Sequence, residues 1–105
     1  MMISKTEVTR RQITRGSILN ALWLSQNAPM LVQTIELAML PENPQISTDM
    51  VPCINFLADR GYIAVIPPDE PGVNPMRGAL VRITDKGQDV VEGMLKDESI
   101  ILPRG

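Results

Sequence analysis

The side chains that most often do chemistry are sparse in this 105-residue sequence: it has no histidine, a single cysteine at Cys53, and 12 carboxylates. Without histidine, a Ser-His or Cys-His nucleophile and base pair cannot be assembled. A zinc site would need an all-carboxylate shell or a second chain. Glu42, Asp49, Asp69 and Glu70 show no spacing that sets two of them across a cleft as acid and base. No glycine-rich loop able to cradle a phosphate is present. The expectation is a non-enzymatic protein with no cofactor and no metal. Cys53 falls on an apolar stripe and reads as a small core hydrophobe, not as a reactive thiol.

The chemistry left open is recognition. Cations gather in two places: Lys5, Arg10, Arg11 and Arg15 near the start, and Arg77, Arg82 and Lys86 later. Such groups could bracket a duplex by neutralising phosphates, and Asn55 and Arg60 are the residue types that reach base edges or phosphate. Against this stand Asp69 and Glu70, a net charge of -2 and a pI near 5.0, which lack the basic footprint of a nucleic-acid binder. The chain is 44% apolar, enough for one compact domain, and no apolar run reaches the roughly 20 residues that span a bilayer. The polar start, with no apolar centre of a secretory signal, and the unpaired cysteine predict a cytoplasmic protein without disulfides.

Positioning these residues requires helices first. Residues 1–9 lack periodicity and predict a flexible arm. From Arg10 to about Ser25 the spacing of Ile18, Leu19, Leu22 and Trp23 predicts a helix, stopped by Asn27 and Pro29. Leu31, Ile35, Ala38 and Met39 predict a second helix ending at Pro41, and the stretch 41–46 reads as a turn. In the third helix, ending at Arg60, Pro52 must lie near the start, so Asp49 is expected to be the N-cap. Met50, Cys53, Ile54, Leu57 and Ala58 form its buried stripe, Asn55 and Phe56 lie on its outer face, and Gly61 closes it. Residues 62–66 and Leu80–Ile83 predict two antiparallel strands. They are joined by a long Pro/Gly-rich loop from Pro67 to Gly78. Thr84 caps a last helix from Asp85 to about Asp97, with Val90, Val91, Met94 and Leu95 on its apolar face. The tail 98–105 is apolar without period.

The order ααα-ββ-α is that of a mainly α (α+β) domain, residues 10–97, in which a helix-turn-helix carries a β-wing. Ile18-Leu-Asn-Ala-Leu22, Leu57-Ala-Asp-Arg-Gly-Tyr-Ile63 and Leu80-Val-Arg-Ile-Thr-Asp-Lys-Gly87 resemble the winged-helix regulators of the MarR, PadR and ArsR kind. Thr84, Gly87, Asp89, Val90, Gly93, Ile101, Pro103 and Arg104 are similar to the ends of small winged-helix proteins of Mu-like phages and prophages. The resemblance implies double-stranded DNA as partner, with Asn55 and Arg60 near the groove and Arg10, Arg11, Arg15, Arg77 and Arg82 on phosphates. It implies transcriptional regulation and dimerisation through the first and last helices; the apolar tail has no evident place in a minimal winged helix, so Ile100, Ile101 and Leu102 are expected to pack on the second copy. Metal sensing does not carry over, since the ligands are missing. The alternative is a winged-helix adaptor that binds protein through Phe56, the proline-rich wing and the tail, with little DNA affinity.

Overall fold

The computed structural model describes residues 4–26 and 28–103. They form an α+β fold with α1 (Lys5–Leu24), β1 (Met30–Leu31), α2 (Val32–Met39), α3 (Ile46–Asp59), β2 (Ile63–Ile66), β3 (Leu80–Ile83) and α4 (Asp85–Val91). Among the described residues, no helix is long and apolar enough to cross a membrane.

Helix α1 starts five residues earlier than its apolar periodicity suggests, so residues 5–9 are helical and not an arm. The cause is a cap. Ser4 Oγ accepts the Glu7 N–H at 3.1 Å, and Ser-x-x-Glu is a recognised start signal that needs no apolar residue. Asn27, expected to help stop the helix, lies outside the described residues. Ile18, Leu19 and Leu22 are fully buried, whereas Trp23 is 38% exposed and points its indole N–H at Glu92 Oε2, 3.0 Å away. It therefore lies at the rim of the core.

The sheet has three antiparallel strands in the order β1-β3-β2. The expected pairing of β2 with β3 runs from Ile63 opposite Ile83 to Ile66 opposite Leu80. The added strand, β1, places Met30 opposite Val81 and Leu31 opposite Leu80. Leu31 thus leaves the stripe expected for α2 and joins the sheet, and Ala38 is also exposed. The side chains that α2 buries are Val32, Ile35, Glu36 and Met39. Strand alternation buries Ile63, Val81 and Ile83 on the helices and leaves Arg82 and Ile66 on the outer face. Helix α2 has no side-chain cap. Its first amides instead donate to carbonyls of the loop after β2: Val32 N to Ala79 O at 3.0 Å and Gln33 N to Arg77 O at 3.2 Å. The loop therefore does the work of a cap.

Helix α3 starts at Ile46, with Gln45 as the N-cap residue, so Asp49 lies inside its first turn and Pro52 inside the helix. The proline is tolerated because it and Thr48, whose carbonyl loses a helical partner, are both exposed to water. As expected, Met50, Cys53, Ile54 and Leu57 are buried. Gly61 ends the helix with paired bonds from Gly61 N to Ala58 O and from Tyr62 N to Leu57 O.

Helix α4 is capped by Thr84 as expected but stops at Val91, six residues early. Gly93 has φ +84, and Gly93 N and Met94 N donate back to Val90 O and Asp89 O at 3.3 and 2.8 Å. This is the left-handed closure glycine allows. It turns Met94 out of its expected stripe to 77% exposure.

The tail packs on its own chain. Ile100 is 8% exposed, Ile101 N donates to Gln12 O at 3.0 Å, and Gln12 Nε2 donates to Glu98 O at 3.0 Å. Ile100 is therefore covered by its own domain, not by a second copy. Close approach is possible because α1 carries Gly16 there: a Cβ would collide with the Ile101 carbonyl. Gly16→Ala is expected to destabilise the fold by about 1–3 kcal/mol through this overlap, read as a lower urea midpoint. The amide of Ile101 should lose its protection from exchange first. Unchanged protection at Ile101 would disprove the packing.

Candidate nucleic-acid interface

The side chains expected to contact phosphate converge on Asp49. Its carboxylate is fully buried and receives Arg10 Nε at 2.6 Å and Arg10 Nη2 at 2.9 Å, a two-pronged ion pair. Arg11 Nε lies 3.7 Å from Asp49 Oδ1, the oxygen that accepts from Arg10 Nη2. Asn43 Nδ2 donates to Asp49 at 3.0 Å and to Thr14 Oγ1 at 3.2 Å, and Thr14 Oγ1 donates to Arg10 O at 2.8 Å. Asn43 Oδ1 also accepts the Gln45 N–H, which fixes the turn before α3. The Arg10 hydrogen bonds hold the Asp49 carboxyl below the usual carboxylate range, against burial, which raises it. Asp49 also raises the affinity of Arg10 for its proton. Asp49 is thus a clasp between α1 and α3, a role that the expected N-cap did not include.

The outer face of α3 is nearly free of positive charge. Ser47, Thr48, Val51, Pro52, Asn55 and Asp59 are exposed, with Arg60 at the C-terminal end. Asn55 has the exposure that a base contact needs. Phe56 is half-buried, with the Arg15 guanidinium carbon 3.7 Å above its ring and that of Arg60 at 4.6 Å. The two cations cover the aromatic expected on the outer face of the helix.

Arg15 also donates to Ser99 O at 3.0 Å and so holds the tail. Arg60 donates to Asp97 Oδ2 at 3.1 Å, and Tyr62 Oη donates to the same oxygen at 2.6 Å. Burial pushes the Asp97 carboxyl up, but the Tyr62 and Ser99 hydrogen bonds and Arg60 bring it below its usual value. Arg77 lies 3.4 Å from Glu36, and Lys86 lies 5.5 Å from the Tyr62 ring centre. Arg82 is exposed on the outer face of the sheet and, among the described residues, forms no ion pair.

The structure therefore brings Arg10 and Arg11 together on Asp49, and Arg15 and Arg60 together on Phe56. It leaves Asn55 and Arg82 open and does not gather the candidates into one basic face. Thr14, Asn43 and Asp97, which organise these contacts, carried no local signal. Asn43 is 29 residues from Thr14, and Asp97 is 35 from Tyr62. In the tail, Ile101 is 42% exposed and Leu102 is half-buried against the core.

No protein-family model, no curated protein and no solved structure matches this chain.

Asp49→Asn leaves Arg10 without its countercharge and Arg11 with Glu7 alone, and is expected to cost about 3 kcal/mol at pH 7, measured by urea unfolding. That is the low end for a broken buried pair, because Arg10 keeps a quarter of its side chain in water. Since the folded-state value of Asp49 is depressed, its stabilisation is present above about pH 4 and lost as pH falls through the folded value. The gap between wild type and variant should therefore close on acidification; a constant gap would show that the ion pair is not its source.

Cys53 is fully buried and donates weakly to Arg11 O at 3.8 Å, and burial pushes its thiol up to about 11. It should resist a thiol reagent at pH 8 in the native protein and react at once in denaturant. Rapid native labelling would contradict the packing of α3 on α1.

Proposed function

We infer that this chain is a winged-helix DNA-binding protein acting as a cytoplasmic transcriptional regulator, of the kind found among small phage and prophage regulators. The observation that carries the reading is the presentation of α3. The helix is clasped to α1 through Asp49, exposes Asn55 to solvent, and passes through Gly61 directly into the β2–β3 pair. In this reading α3 faces the major groove, and the connection from 67 to 79 is the wing.

The phosphate contacts fall to the most exposed cations, Arg82 without an ion pair among the described residues and Arg60 and Arg77 beside their pairing with Asp97 and Glu36. Arg60 and Arg77 expose 46% and 50% of their side chains, and Arg82 lies on the outer sheet face. Arg10, Arg11 and Arg15 act inside the protein as clasps and reach DNA only at the cost of those contacts. The site is therefore a weak electrostatic binder, and its affinity depends on α3 more than on charge.

A second reading, a winged-helix adaptor for a protein partner, is favoured by one specific observation: the outer face of α3 is neutral to acidic, with Val51 42% exposed beside Pro52. An adaptor would bind through that face with little dependence on salt.

Titration of a labelled random duplex across salt concentrations separates the two. Three phosphates neutralised by Arg60, Arg77 and Arg82 predict a log–log slope of about -2.7, and Arg82→Ala should reduce it by about 0.9. A slope near zero, or no binding in low salt, leaves the adaptor reading in place.

A further inference from the structure

We propose that the groove along the N-terminal half of α1 is a binding site for a short peptide with free termini and apolar side chains. The groove holds about 510 Å³, within the roughly 300–1,000 Å³ of small-ligand sites. One wall is α1, with Lys5, Thr9, Ile13 and Ser17; the other is formed by Met39 and Glu42 at the end of α2 and in the turn after it. Thr14 and Asn43 also line it, at 2% and 9% exposure. Their polar atoms are bonded to each other and to Asp49, so this part of the wall is already shaped before any ligand arrives.

Charge selects the ligand. Lys5 and Arg10 line the groove on the α1 side and Glu42 on the other, and among the described residues neither Lys5 nor Glu42 forms an ion pair. Lys5, Arg10 and Arg11 are balanced by Glu7, Glu42 and Asp49 in the same region. A polyanion such as a nucleic-acid backbone gains no net attraction there. A ligand that brings one charge of each sign does: its carboxylate to Lys5, its ammonium to Glu42. Between them, Ile13, 47% exposed, offers an apolar wall, and the hydroxyls of Thr9 and Ser17 both donate and accept, as a peptide unit requires. The twelve helical steps from Lys5 to Ser17 run about 18 Å, and an extended dipeptide spans at most about 7 Å, so two residues fit with room for side chains. The site does not depend on DNA binding and uses none of the exposed arginines assigned to it.

The test follows the backbone amides of the full chain by NMR during titration with L-leucyl-L-leucine, its N-acetyl form and its C-terminal amide. The free dipeptide should give saturable shifts at Thr9, Ile13, Ser17 and Asn43, and each blocked form should bind about tenfold more weakly, having lost one charged partner. Glu42 is exposed, so Glu42→Gln should fold normally. It should weaken the free dipeptide about tenfold and leave the N-acetyl form unchanged. No saturation by about 10 mM, or equal affinity for free and blocked dipeptides, overturns the proposal.

Discussion

The buried carboxylate of Asp49 is the constraint on which the arrangement of helices depends. A charge taken out of water is tolerated only when its partners hold it from several sides. Here they come from α1 through Arg10 and Arg11, and from the turn before α3 through Asn43. Meeting that requirement fixes the crossing of α1 and α3, the shape of the turn between α2 and α3, and the position of Thr14. Apolar packing of Ile18, Leu22, Ile54 and Leu57 would tolerate some sliding between the two helices. A two-pronged arginine pair tolerates far less, because its geometry is planar and short-ranged.

The same chemistry changes what the arginines can do. A guanidinium turned inward on a carboxylate or stacked on a ring is part of the fold, and its charge is largely spent before a ligand arrives. Arg10 and Arg11 serve Asp49, and Arg15 covers Phe56 and holds Ser99, whereas Arg60, which also touches Phe56 and Asp97, keeps 46% of its side chain in water. The acidic balance of the chain and the internal use of its cations therefore point the same way. In the proposed DNA-binding reading, the duplex is held by geometry and hydrogen bonding at α3, with charge in a supporting role.

Local sequence marked most of the elements. The apolar spacing of α3, the glycine closing it, the Thr84 cap of α4 and the pairing of residues 63–66 with 80–83 were all legible, since each depends on neighbours a few positions apart or on strand propensity. What was misjudged has a common cause. The early start of α1 rests on a polar cap that periodicity does not register, and the early end of α4 on a glycine two residues past its last turn. Strand β1 is two residues long and exists only because β3 lies alongside it. The apolar tail was legible as unplaced; its place across Gly16 was not.

The sequence by itself determined that histidine-dependent chemistry is absent, that the core is helical with a small antiparallel sheet, and which side chains of α3 face inward. These follow from composition and from interactions spanning one turn or one strand. Only the tertiary structure decided the fate of the charges: that Asp49 is a clasp and not a cap, that Arg10, Arg11 and Arg15 turn inward, and that Lys5 and Glu42 face one groove. Each pairing joins residues far apart in the chain, and electrostatic energy depends on distance in space and on burial, neither of which is written into the spacing of a sequence.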